Sequence, residues 1–277
     1  MPITTVAQAL PYVNWMVLVA LAVGSLAFVT LTGRLTDATR GYLGFTAFCS
    51  GLLAVLAWAA DTGLVEGPDL VITPAPAEVD LVRRLALGVV ALSSLGYTLS
   101  AGRPARRAWL GLVGLIGGGA ALAAAAVGWA PALADAVPLL IQLAMLALAT
   151  GGALAAIVLA HWYLVTPRIS ERPLLLQARL LTGVIAVQLA LFVVWFLFGG
   201  GPGQRPFETL TGDQALFGWL RLLVGLLFPL ALAWMAWATA RTRSMESATG
   251  LLYLGLAAIV SGTIGSAALY VGTGLLL

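Results

Sequence analysis

The chain has 277 residues, of which 61% are hydrophobic and only 9% charged, with a mean hydropathy of +1.02; soluble domains carry roughly a quarter charged residues, so a globular fold in water is excluded. The net charge of +3 comes from arginine alone, 14 basic residues without a lysine, and these sit at the ends of apolar runs rather than in one patch, which argues against nucleic-acid binding. Without lysine there is no retinal Schiff base and no lysine nucleophile, and one histidine with one cysteine cannot by themselves build an HExxH zinc site, an iron–sulfur cluster, a copper-oxidase centre or a disulfide.

A helix needs about 20 predominantly apolar residues to cross a bilayer, and eight segments meet that requirement. The residues before the first, Met1 to Asn14, lack the basic start and small-residue cleavage site of a secretory signal, so Asn14–Leu35 is expected to be a retained helix. Arg34 and Arg40 follow it against Asp37. The second segment, Gly41–Ala60, contains Cys49, expected to be an inert packing residue. Next comes an acidic stretch with Asp61, Glu66, Asp69, Glu78 and Asp80, interrupted by Pro68, Pro74 and Pro76 and closed by Arg83 and Arg84. Its prolines predict extended backbone. Loop 62–80 is expected to be solvated surface, with steering of a basic periplasmic partner such as a c-type cytochrome as the functional alternative.

The third segment is Leu81–Ser100, trimmed at its start by the two arginines, and Arg103, Arg106 and Arg107 follow without an acid. The fourth, Arg107–Ala130, carries Gly114 and Gly118 four apart, a spacing that lets helix backbones approach closely. Asp135 is the only charge between it and the fifth, Pro138–Tyr163. That segment holds Gln142, expected to bridge neighbouring helices or to line a substrate path, and ends in His161, Trp162 and Tyr163. The bland reading of His161 is an interfacial residue in an aromatic belt before a helix stop at Pro167. The functional one is a haem or chlorin axial ligand, or a donor to a quinone carbonyl; a His/Met haem would need Met235, placed by topology at similar depth.

Arg168, Arg172 and Arg179 follow against Glu171, then the sixth segment, Gln177–Phe198, with Gln188, expected like Gln142 to bridge neighbouring helices or to line a substrate path. Arg205, Glu208 and Asp213 lie in the next loop after a Gly-Gly-Gly-Pro-Gly stop. The seventh segment, Gln214–Ala240, contains Pro229, expected to kink it or free a carbonyl. It also contains Arg221, the one charge expected well inside a span. That cation should snorkel outward, or face an anionic headgroup, quinone or substrate with Arg83, Arg84 or Gln142 nearby. Arg241 and Arg243 against Glu246 lead to the eighth, Ser247–Leu275, where Ser261 with Gly265 and Gly262 with Ser266 repeat the small-residue spacing.

Ten of the 14 basic residues fall in odd-numbered loops and most acids in even-numbered ones, and basic residues in short loops are retained on the cytoplasmic side. The expected fold is therefore an all-α integral membrane protein: one transmembrane domain, 1–277, with eight helices and both termini non-cytoplasmic, in a prokaryotic inner membrane. With no carboxylate expected inside a span, ion-coupled antiport is disfavoured. The expected role is a non-catalytic anchor or scaffold of a larger energy-transducing complex, docking through the glycine-rich fourth and eighth helices and helping to form a quinone, haem or pigment site near His161. The helix count is that of eight-helix quinol-oxidising anchors of molybdenum enzymes, an analogy of architecture alone. The alternatives are a transporter for a neutral or anionic solute lined by Arg221, Gln142 and Gln188, and a lipid-modifying membrane enzyme.

Overall fold

The computed structural model describes residues 3–64, 70–72, 75–166, 169–199, 208–212 and 215–275, and all regular structure among them is helical. In chain order the helices are α1 (Ile3–Leu35), α2 (Arg40–Asp61), α3 (Ala77–Leu99), α4 (Pro104–Trp129), α5 (Leu133–Val165), α6 (Arg172–Phe198), α7 (Glu208–Thr211), α8 (Ala215–Leu222), a π-helical turn (Leu223–Leu227), α9 (Phe228–Arg241) and α10 (Met245–Thr273). Helices start earlier than hydropathy alone predicts: α1 runs through Pro11, and α5 through Pro138. Pro167, Arg168, Arg205 and Asp213, with Glu66, Pro68, Asp69 and Pro74 of the acidic loop, lie outside the described residues.

Seven helical stretches are long and apolar enough to cross a membrane: Ala7–Leu35, Arg40–Asp61, Pro104–Trp129, Leu133–Val165, Arg172–Phe198, Ala215–Arg241 and Met245–Thr273. The expectation of eight meets its difficulty at α3, which carries Glu78, Asp80, Arg83 and Arg84 in its first two turns. Even so, α3 packs along both α2 and α4, with Arg83 bonded to Asp61 at one end and the Tyr97 hydroxyl reaching the Val29 carbonyl of α1 at the other.

Helix packing is organised around α1, which touches α2, α4, α5 and α10. In lipid the association of helices rests on close approach rather than on the hydrophobic effect, so small residues belong inside. The buried core is accordingly rich in alanine, whereas Phe45, Trp58, Leu85, Leu92, Trp109, Ile116, Trp219 and Trp234 point outward. The tightest crossing joins α1 to α5: a Cβ on Gly24 would stand 1.8 Å from the Ala147 carbonyl oxygen, and one on Gly151 would stand 2.3 Å from the Ser25 nitrogen. On α4, Gly111, Gly114 and Gly118 receive Thr30, Leu26 and Val23 of α1. Gly262 of α10 meets Gly225 of the π turn. The Gly114–Gly118 and Gly262–Ser266 spacings are thus used within the bundle, whereas Ser261 is exposed.

One end of the bundle gathers Asp61, Arg83, Trp129 and the close of α10, where Val71 donates its amide to the Val271 carbonyl. The other gathers the Glu171–Arg243 ion pair and Trp162 against Gly41.

Candidate functional site

At the Asp61 end the chain builds a closed ionic box that the sequence does not reveal. Asp61, the last residue of α2, is 0% exposed and Arg83, in the second turn of α3, is 1% exposed. The Asp61 carboxylate accepts a bidentate pair from Arg83, Nε at 2.7 Å and Nη2 at 3.1 Å, and a third bond from Arg84 Nε at 2.7 Å. Arg83 Nη1 reaches Asp80 at 2.7 Å one turn back. The fork geometry of guanidinium matches a carboxylate, which makes such bonds short and directional. Aromatic rings from α1 and α4 close the box: the Arg83 guanidinium lies 5.8 Å from the Trp15 ring and 5.3 Å from the Trp129 ring. Those rings pack edge-on at 4.8 Å, with Tyr12 edge-on to Trp129 at 5.5 Å. A cation over indole faces is stabilised by the ring quadrupole, the more so when desolvated. Two acids and two arginines sum to zero charge, so the box fastens α1, α2, α3 and α4 together without leaving a net buried charge.

This corrects two expectations. Asp61, expected in the loop after the second segment, closes α2 and is fully buried, and Asp80 lies in the first turn of α3, paired with Arg83 and about a third exposed; Arg83 joins Arg221 as a buried cation. Nor is all of loop 62–80 free surface, since Leu70 and Ile72 pack onto the core.

A second polar layer lies deeper from the same end. Arg221, on α8, is 2% exposed, and its Nη1 lies 3.5 Å from the Gly225 carbonyl. The cause is local. Pro229 has no N–H to close an α-helical bond to Gly225, so the helix widens into the π turn, where Phe228 bonds back to Leu223, and the guanidinium folds against the freed carbonyl. The same group lies 3.2 Å from where Cβ atoms of Gly225 and Gly262 would stand. One turn further along α10, the Ser266 hydroxyl accepts from the Gln142 amide at 2.6 Å, while Thr150 and Thr263 share a bond of 2.7 Å. Gln188 on α6 is 5% exposed, and its amide nitrogen has no acceptor among the described residues. By helix rise, Arg221, Gln142, Gln188 and Ser266 lie about 9–15 Å from the helix ends on that side. The structure therefore sets Arg221 and Gln142 against one face of α10, with Gln188 at similar depth on the neighbouring α6.

The residues expected around His161 are not brought together. His161 is exposed on the outside of α5, and Met235 is exposed on α9. Those two helices pack against α6 and α10 rather than against each other. Trp162 turns inward onto Gly41. Tyr163 is buried, its hydroxyl donating to the Ser170 carbonyl, and it lines a cleft of about 680 Å³ with Arg243, Ser244, Met245 and Glu246. Sequence reasoning also passed over Gln177, fully buried on α6, whose amide donates to the Thr32 hydroxyl at 2.8 Å and the Tyr42 phenol at 2.5 Å. Among the described residues no three His, Cys, Asp or Glu side chains are grouped so as to hold a metal ion. Comparison with protein-family models, with curated proteins and with solved structures returns no match for this chain.

Proposed function

We propose that the chain is an eight-span integral membrane subunit, both termini non-cytoplasmic, acting as a non-catalytic scaffold in a larger energy-transducing assembly of a prokaryotic inner membrane. The observation that carries this reading is the ionic box. A buried Asp–Arg pair costs desolvation energy that only excellent geometry returns, and here that geometry is spent on tying four helices together rather than on a reacting group. The other buried polar pairs, Gln142 with Ser266, Gln177 with Thr32 and Tyr42, and Thr150 with Thr263, join helices in the same way. The eighth crossing is α3. Its Leu81, Leu85, Val89, Leu92 and Leu99 form an exposed apolar stripe of the kind that lipid accepts, while its arginines are neutralised by Asp61 and Asp80.

A quinone, haem or pigment engaged by His161 would be held on the outer surface, shared with a partner, because the histidine faces away from the bundle. Docking falls to the large outward side chains rather than to Gly111, Gly114, Gly118 and Gly262, which are packed inside the bundle. A basic partner at loop 62–80 would meet a weakened field, since Asp61 and Asp80 are already paired. The test is purification from native membranes in mild detergent with mass spectrometry of what accompanies the chain. Stoichiometric partner subunits are expected, with a visible spectrum lost in His161→Ala if the cofactor reading holds. A lone, monodisperse, colourless chain overturns the subunit.

The second reading is a transporter for a neutral or anionic solute, favoured by Arg221 beside a π turn, a device frequent at functional sites, at the depth of Gln142 and the unsatisfied Gln188 amide. It predicts uptake by the chain alone in liposomes, lost in Arg221→Ala.

A further inference from the structure

The Glu171 end holds a cleft of about 590 Å³ between the close of α1, the first turns of α6 and the last turn of α9. Arg172, Arg179 and Arg241 rim it, and Leu35, Leu176 and Trp237 supply apolar wall. Arg172 and Arg179 are seven residues apart, hence on one face of α6 about 10 Å from each other. Across the cleft the Arg241 guanidinium lies over Trp237 at 5.0 Å from the ring centroid, which fixes a third cation opposite the first two. The acid adjoining Arg172 in the chain, Glu171, is held by Arg243 at 2.8 Å, and Asp37, next to the cleft residue Thr36, leaves the rim net positive.

The walls narrow the choice of ligand. A free inorganic anion would gain nothing from leucine and indole, whereas an amphiphile uses both. Below Arg179 the same helical stripe continues outward as Gly183, Ala186 and Ala190, all exposed. A Cβ on Gly183 would meet nothing within 4 Å. The arginines thus sit at the head of a shallow, small-residue track running toward the bilayer centre. Basic pockets between helices at a membrane surface suit anionic headgroups, and tryptophan suits the same level.

We propose that this cleft binds an anionic phospholipid, its phosphodiester bridged by Arg172, Arg179 and Arg241 and one acyl chain lying along Gly183, Ala186 and Ala190. The proposal goes beyond the scaffold reading and stands or falls separately from it, since it needs no partner subunit. The experiment is native mass spectrometry of the full chain in detergent, titrated in turn with phosphatidylglycerol, phosphatidylcholine of the same chains, and inorganic phosphate. Phosphatidylglycerol is expected to be retained, phosphatidylcholine not, and phosphate is expected not to displace the lipid. At about fivefold per surface arginine, the triple variant Arg172→Gln, Arg179→Gln, Arg241→Gln should weaken phosphatidylglycerol by roughly 100-fold. Arg103→Gln with Arg106→Gln, at the same end but outside the cleft, should leave it within about twofold. The triple lysine variant keeps the charges, which separates loss of recognition from loss of fold, and should stay within about fivefold of the parent. Equal retention of phosphatidylcholine, tight binding of phosphate alone, or glutamine and lysine variants that behave alike overturns the proposal.

Discussion

Asp61 carries more of the buried charge at its end than any neighbour, because it accepts from Arg83 and Arg84 at once while fully desolvated. Asp61→Asn keeps the shape and removes the charge, which leaves the Arg83 cation facing only Asp80. Removing one partner of a buried pair costs about 3–5 kcal/mol, and the surviving Asp80 contact places this case toward the lower end. Arg84 is different: its side chain is 42% exposed, and water screens such a pair to about 1 kcal/mol or less. Thermal unfolding in detergent should therefore separate the two, with a large loss for Asp61→Asn, a small one for Arg84→Gln, and partial recovery when Arg83→Gln is added to Asp61→Asn. Equal losses for the two single variants would mean that the box is not a desolvated unit. The sequence hides this box for a physical reason. Asp61 and Arg83 stand 22 residues apart across a proline-containing stretch, and charge signs alone place both at one membrane surface without saying that they meet. Arg221 was legible because a cation within an apolar run is conspicuous wherever it points. Its tie to Gly225 was not, because it depends on the π turn.

Within the elements, the α8–α9 bend and its contact with α10 form one device. Pro229 withdraws a backbone donor, the helix takes up the slack as a π turn, and Gly225 comes to lie on Gly262 with no side chain between them. A Cβ on Gly262 would stand 2.4 Å from the Gly225 Cα, a backbone atom that cannot swing aside, whereas one on Gly265 would meet only Leu220 Cδ2 at 4.0 Å. Gly262→Ala should thus cost about 1–3 kcal/mol through forced separation of the helices, and Gly265→Ala should be neutral or slightly stabilising; the midpoints of unfolding in detergent read both. Glycine spacing announced the α4 and α10 contacts. It missed the tighter α1–α5 crossing, because Gly24 and Gly151 lie on different helices and only their meeting reveals their use. At the opposite end the α5–α6 and α9–α10 connections are joined by Glu171 and Arg243. A backbone hydrogen bond first, and then Arg243, hold the Glu171 carboxyl below its ordinary range. A depressed carboxyl favours the joined state above its unfolded value, and the advantage is lost as pH falls through the lowered folded value. Amide exchange in residues 169–171 should accordingly quicken on acidification below the usual glutamate range, and Glu171→Gln should show the fast rate at neutral pH already.

For the whole molecule the decisive question is whether α3 crosses, since every later loop changes sides with the answer. If it does, the basic loops after α1, α3, α5 and α9 share one face, and the positive-inside rule places that face in the cytoplasm. If α3 lay on the surface instead, Arg34 and Arg40 would stay inside while Arg103, Arg106, Arg172 and Arg243 moved out, an arrangement the rule opposes. The alternation of loop charge is legible in the sequence because it is a sum over many residues and survives errors in any single boundary. Whether α3 crosses is less legible because hydropathy counts Arg83 and Arg84 at full cost, while in the fold they are paired with Asp61 and Asp80. Single cysteines placed at Gly63, Ala101, Ala132, Thr211 and Ser244 in a Cys49→Ala background convert the question into a labelling pattern with a membrane-impermeant thiol reagent on intact cells. Eight crossings predict labelling at 63, 132 and 211 and protection at 101 and 244 until the membrane is opened. Without the α3 crossing, 63 and 101 label together, 132 and 211 become protected, and 244 labels from outside. The pair 101 and 132 settles the count, because the two models assign each of them opposite sides.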